Sequence, residues 1–237
     1  ERANMVSDVD VIGFDADDTL WHTESIFSVT QDSFRQLLAD SAAGDIIDSK
    51  LSQTELNNLQ HFGYGVKGFT LSMVETALEL TDNRIDAKHI KRILELGKEM
   101  LSAPVELLDH VEQTIAALAV NHRLMLVTKG DLFDQESKLA RSGLGHYFSG
   151  VEIVSEKNPA VYRSILKRHD ITSDRFMMVG NSLKSDVIPV IEIGGWAVYV
   201  PYQITWVHEV VKDFKVESDR FIQFEHIGQC LPLVGTT

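Results

Sequence analysis

The chain has 237 residues, 44% of them apolar, and carries 35 acidic against 22 basic side chains for a formal charge of −13. This length and apolar content support one sizeable domain with an insertion, or two small domains, and argue against disorder. The acidic balance repels a polyphosphate backbone, which excludes nucleic acid as a general partner and requires any small phosphorylated substrate to find positive charge inside the site. Cys230 is the sole cysteine, so an intramolecular disulfide is impossible and a reducing compartment fits. No basic-then-apolar leader and no apolar run of membrane-spanning length is visible, so a cytoplasmic soluble protein with no membrane partner is expected.

Val9–Phe14 reads as a short buried strand, β-branched and apolar, ending in Asp15-Ala16-Asp17-Asp18-Thr19. Such a cluster of acids cannot be core and belongs to the loop at the strand's C-terminal end. Residues 23–103 show no convincing strand. Phe27, Phe34, Leu37 and Leu38 recur at helical spacing, as do Val74, Ala77 and Leu78, and then Ile90, Ile93 and Leu94, with breaks at Gly44 and at Gly63–Gly68. An insertion of about four helices is expected, and Pro104 marks the return to the main domain.

Strands and helices then alternate. A helix is expected over Leu107–Val120, a strand over Leu124–Val127 ending at Thr128, and a helix over Leu132–Ser142 closed by Gly143. Next come a strand over Val151–Val154, a helix after Pro159, a strand over Phe176–Val179 ending at Gly180, and a helix over Leu183–Ile193. Strands over Ala197–Val200 and Phe221–Ile222 close the pattern. This alternation predicts an α/β fold, a Rossmann-like parallel sheet core with helices on both faces, plus an all-helical insertion.

In an open parallel sheet, ligands bind beyond the C-terminal ends of the strands. Asp15, Asp17, Thr128, Lys157, Asn181 and Asp186 each follow a predicted strand, so distant segments converge on one edge. A carboxylate at that edge can attack phosphorus, and a second carboxyl two residues on can protonate the leaving oxygen and later activate water. The Thr128 hydroxyl with Gly130 beyond it suits phosphate oxygens, a lysine at 157 neutralises charge, and Asp186 offers the hard oxygen that magnesium prefers. Taken singly, each also has an ordinary structural reading: a solvated turn at 15–19, a helix N-cap at Thr128, a surface lysine at 157, and an Asp186 paired with Lys184 or solvated.

The four segments together resemble the haloacid dehalogenase-like hydrolase superfamily. Its first motif, a strand followed by D-x-D-x-T, stands here as Asp15-Ala16-Asp17-Asp18-Thr19, and its second, third and fourth as Thr128, Lys157, and Asn181 with Asp186. The resemblance implies Asp15 as nucleophile and Asp17 as general acid/base. It implies magnesium held by Asp15, the Asp17 backbone carbonyl and Asp186, with Asn181 nearby where the family often has Asp. It further implies phosphate bound by Asp18, Thr128, Lys129 and Lys157, where Lys129 either adds charge or merely caps the strand end.

The resemblance also divides the chain into a core of residues 1–22 and 104–237 and a helical cap of residues 23–103. Dehalogenases of this superfamily use no metal and lack the second acid, and phosphonatases lack it too, so Asp17 and Asp186 favour phosphate monoesters. A 2-haloacid dehalogenase, a phosphomutase, and a catalytically silent binding or regulatory protein of the same fold are the alternatives. The stretch 63–69 is either a specificity loop or a plain connection, and Trp21 and His22 either gate the pocket or pack at a hinge. The expected protein is a monomer or homodimer acting on a small phosphorylated molecule. The segment 201–214, with Trp206 and His208, has no functional account from sequence.

Overall fold

The computed structural model describes residues 6, 8–204, 206, 209–211 and 218–234. Two compact units emerge, one of residues 1–22, 105–129 and 135–237 and the other of residues 23–104 and 130–134.

The first unit is built on a six-stranded parallel sheet of order β3-β2-β1-β4-β5-β6. The strands are β1 (Val11–Phe14), β2 (Arg123–Lys129), β3 (Phe148–Val154), β4 (Phe176–Gly180), β5 (Trp196–Tyr199) and β6 (Phe221–Gln223). Side chains alternate across the sheet. Ile12, Phe14, Leu124, Leu126, Met177, Val179 and Val198 face a core closed by Val111, Ile115 and Leu118 of α5 (Val111–Leu118) and by Leu139 of α6 (Leu132–Ser142). Val11, Met125, Val127, Phe176, Met178 and Ala197 face a second core built on Tyr162, Ile165 and Leu166 of α7 (Pro159–Arg168) and Val190 of α8 (Ile188–Glu192). The central strands β1, β2, β4 and β5 are therefore covered on both faces, which is why they read as apolar runs, whereas the edge strands β3 and β6 are partly exposed. Each fully buried Leu, Ile, Val or Phe contributes about 1.5–3 kcal/mol to this packing. Gly13 is required in β1, because a Cβ there would meet the Phe176 ring at 2.7 Å.

The second unit contains α1 (Glu24–Leu37), α2 (Gly44–Phe62), α3 (Val66–Leu80) and α4 (Ala87–Ser102). Their apolar stripes meet in a core of their own around Phe34, Leu51, Phe69, Met73 and Ile93. The helices α3 and α4 approach closely at Gly97, where a Cβ would lie 2.3 Å from the Thr70 hydroxyl. Asp86 caps α4 by accepting from the Lys88 N–H.

Three sequence expectations are corrected. The glycine-rich stretch is shorter as a loop than 63–69, since α3 begins at Val66. Gly63 and Gly65 carry the positive φ values of the turn, whereas Gly68 is helical and lets the first turn of α3 approach the Gly63 carbonyl. The helix expected over Leu107–Val120 is only Val111–Leu118, entered through His110 at φ 68°. The helix expected over Leu183–Ile193 is instead a π-helical turn, Leu183–Val187, followed by α8. Pro189 lacks an N–H and cannot bond to the Ser185 carbonyl, which accepts from the buried Tyr162 hydroxyl at 3.0 Å.

Candidate active site

The register of the sheet places the ends of β1, β2 and β4 side by side. Phe14 pairs with Leu126 on one flank and Val179 on the other, so residues 15, 128 and 181 reach a common edge, Thr128 still within β2. The Asp15 N–H donates to the Val179 carbonyl at 2.9 Å, extending the ladder by one bond before the chain turns. The turn is tight: Leu20 N–H donates to the Ala16 carbonyl at 2.8 Å, Asp18 N–H donates to the Trp21 carbonyl at 2.8 Å, and Asp18 takes φ 59°. Aspartate tolerates that left-handed conformation better than most side chains.

Lys157, between β3 and α7, is the hub. Its Nζ donates to Asp15 Oδ1 at 2.6 Å and to Asp186 Oδ1 at 2.7 Å, and its side chain is 2% exposed. Asp186 is fully buried in the π-helical turn, and its Oδ2 accepts from the Ser182 N–H at 3.0 Å. Burial pushes the Asp15 carboxyl up to about 7, with Asp186 and Asp17 adding to the rise and Lys157 opposing it. Burial alone would lower Lys157, but the charges of Asp15 and Asp186 outweigh it and hold the ammonium above its usual range. Gly180 makes room for this arrangement, because a Cβ there would lie 2.2 Å from Asp186 Oδ2. Gly180→Ala is therefore expected to displace Asp186 and to cost about 1–3 kcal/mol of stability, measured as a lower melting temperature.

Asp17 stands in a separate cluster of donors. Its Oδ1 accepts from the Trp21 indole N–H at 2.9 Å and from Lys138 Nζ at 2.8 Å, and its Oδ2 accepts from Gln135 Nε2 at 2.7 Å. Trp21 is fully buried and acts on Asp17 directly. The His22 ring lies against Tyr202, with Nδ1 2.6 Å from its hydroxyl.

The other residues singled out from sequence stand around this centre. Thr128 is buried, and its hydroxyl makes a long 3.3 Å contact to the Lys129 carbonyl. The ammonium of Lys129 is held by Ser185 at 3.0 Å and by the carboxylate of Glu209. The Asn181 carbonyl oxygen accepts from Thr19 at 3.3 Å. Asp15, Lys157 and Asp186 are thus joined by direct contact, whereas Thr128, Lys129 and Asn181 make other contacts.

Sequence reasoning missed Gln135, Lys138 and Glu209. Gln135 and Lys138 lie three apart on one face of α6, whose first turn starts just past β2, so a signal existed. Glu209 lies after β5 in a stretch of sequence that carries no periodicity. It accepts from Ser182 and Ser185 as well as Lys129, and these partners hold its carboxyl below the usual range although burial works the other way. Of the segment 201–214, His208 and Phe214 lie outside the described residues.

A family model described as haloacid dehalogenase-like hydrolase matches residues 9–194, a span that contains β1 through α8 and with them Asp15, Lys157 and Asp186. The chain belongs to the haloacid dehalogenase-like hydrolases. A family hydrolase of known structure from Xanthomonas campestris is 40% identical, covering 95% of this chain and 89% of its own, with a TM-score of 0.85. A curated relative, glyceraldehyde 3-phosphate phosphatase from Methanothermobacter thermautotrophicus, is 24% identical over 81% of this chain and 85% of its own length. Two further structures share the fold. One is the HAD-hydrolase YfnB from Bacillus subtilis bound to magnesium, at 16% identity, 81% and 88% coverage and TM-score 0.61. The other is a 2-haloacid dehalogenase from Pseudomonas syringae, at 20% identity, 95% and 97% coverage and TM-score 0.62. No helix among the described residues of this family member is long and apolar enough to cross a membrane.

Proposed function

We propose that this hydrolase cleaves small phosphate monoesters through an aspartyl-phosphate on Asp15 and depends on magnesium. The observation that carries the reading is the Lys157 bridge, in which one ammonium serves two buried carboxylates. The pair of acids exceeds the charge of its partner, and an excess of buried negative charge is costly unless a cation joins it. Hard oxygens from Asp15, Asp186 and the Asp17 carbonyl, with Asn181 nearby, suit magnesium, which keeps several waters of its own. Among the described residues no group of three or more His, Cys, Asp and Glu side chains is placed to hold a metal ion. When bound, magnesium would draw charge from the phosphoryl oxygens.

The chain's own groups supply the remainder. Asp15 attacks phosphorus while Asp17 gives its proton to the departing oxygen. Lys157 balances the charge that gathers around Asp15, and Thr128, Lys129 and the backbone near Asp18 hold the phosphoryl oxygens. Asp17 then takes a proton from water and the acyl phosphate is cleaved. The helical unit is read as the cap that sets the leaving group, with the turn at Gly63–Gly65 as its specificity element. Asp17 supports this chemistry against dehalogenation, because a departing halide needs no proton. The phosphatase named among the relatives and the magnesium-bound neighbour agree with it.

The test is a panel of phosphate monoesters with magnesium or a chelator, run beside 2-haloacids. Phosphate release that magnesium supports and the chelator removes is the expected result. Metal-independent halide release without phosphate release would replace the reading with dehalogenation, and phosphoryl transfer between sugar hydroxyls without free phosphate would replace it with a mutase.

A further inference from the structure

Gln135 is 2% exposed, and its amide is oriented by the structure around it. Nε2 donates to Asp17 Oδ2 at 2.7 Å and to the Lys129 carbonyl at 3.0 Å. The Lys129 carbonyl can only accept, so exchanging the amide nitrogen and oxygen would set oxygen against oxygen there, and the assignment is fixed. The consequence is that Oε1, the acceptor of the side chain, is buried with no hydrogen-bond partner among the described residues. A buried acceptor left unsatisfied costs free energy, and such a group calls for an explanation.

The explanation lies in its neighbour. Oε1 shares an amide carbon with the nitrogen that donates to Asp17 Oδ2, so the group that carries it is held on the carboxylate assigned to activate water. Lys138 and the Trp21 indole occupy Asp17 Oδ1, which fixes the carboxylate in one orientation. The geometry points to Gln135 as a water-orienting residue: Oε1 accepts one hydrogen of the attacking water while Asp17 takes the other. This inference rests on the phosphohydrolase reading above.

The step balances. The water oxygen bonds to phosphorus, the bond from phosphorus to Asp15 breaks, Asp15 leaves as a carboxylate, and the water proton goes to Asp17. Phosphate is released. Orientation of the attacking water is an entropic and electrostatic contribution that acts on this second step only. Departure of the alcohol in the first step does not involve Oε1.

The two steps can be read separately with p-nitrophenyl phosphate, whose leaving group needs no proton. For Gln135→Leu with magnesium, kcat is expected to fall roughly 10- to 100-fold. The ratio kcat/KM, which reports phosphoryl transfer to Asp15, should change by no more than about threefold. A pre-steady-state burst of nitrophenol should appear, and kcat should become equal across esters of differing leaving group, since cleavage of the acyl phosphate is common to all. Should Gln135→Leu fail to fold, Gln135→Asn withdraws the oxygen by one methylene and carries the same test. A parallel fall in kcat and kcat/KM without a burst, or unchanged kinetics, would overturn the inference. The phosphohydrolase reading fails by a different sign, namely wild-type protein that releases no phosphate from any ester.

Discussion

Asp15→Asn is expected to lower phosphate-ester turnover by about 10⁴-fold or more, in line with the loss of a covalent nucleophile. The amide is nearly isosteric, so the β1 ladder bond from the residue 15 N–H and the Lys157 bond to Asp186 remain available. The same substitution should stabilise the metal-free protein. Burial lifts the folded-state Asp15 carboxyl to about 7 from an ordinary 3.8. Folding therefore favours protonated Asp15, an advantage complete below about pH 4 and lost as pH rises through 7. The asparagine variant has no such charge to desolvate, so its margin over wild type should widen between those limits. At pH 8 a gain of about 1–2 kcal/mol is expected, and melting curves with and without magnesium measure it. Magnesium should narrow the gap by stabilising the wild type more than the variant.

Lys157→Met is expected to damage both stability and catalysis. The variant keeps most of the buried stem but removes the ammonium that Asp15 and Asp186 share. Removing one member of a buried ionic cluster typically costs about 3–5 kcal/mol, because the remaining charges stay buried and unpaired. Urea unfolding at pH 8 should show this loss, and at pH 5, where Asp15 is protonated, the deficit should shrink. Turnover should fall by about 10²–10³-fold, the usual effect of deleting a preorganised charge from a site of developing charge. A variant of wild-type stability at pH 8 would mean that the buried carboxylates are neutral there.

These effects concentrate in residues that sequence could identify, and the reason is physical. Asp15, Asp17, Lys157 and Asp186 are charged groups in the segments that follow apolar strands, where neither core nor an ordinary surface accounts for them well. The central strands were legible because a parallel sheet covered on both faces demands apolar runs, and the partly exposed β3 was legible only in its second half, Val151–Val154. The helical unit was legible as a count of periodic stretches. Its α3 start at Val66 was not, since Gly68 looks like a turn residue until the approach to the Gly63 carbonyl is seen. The π-helical turn was hidden for a similar reason. Pro189 signals a lost bond, but only the tertiary contact from Tyr162 shows how the Ser185 carbonyl is satisfied. Gln135 and Lys138 were visible as polar residues on a helix, a pattern shared with any solvated face. Glu209 stands in a stretch of sequence without periodicity, where no spacing rule applies.

The central claim is that Asp15 carries the phosphoryl group. Acid quenching of the protein during turnover of an activated phosphate ester with magnesium, followed by peptide mass analysis, tests it most directly. The expected result is one phosphoryl group on the peptide containing Asp15, absent from the Asp15→Asn protein. Sustained turnover with no such adduct, or equal labelling of the variant, would contradict the account.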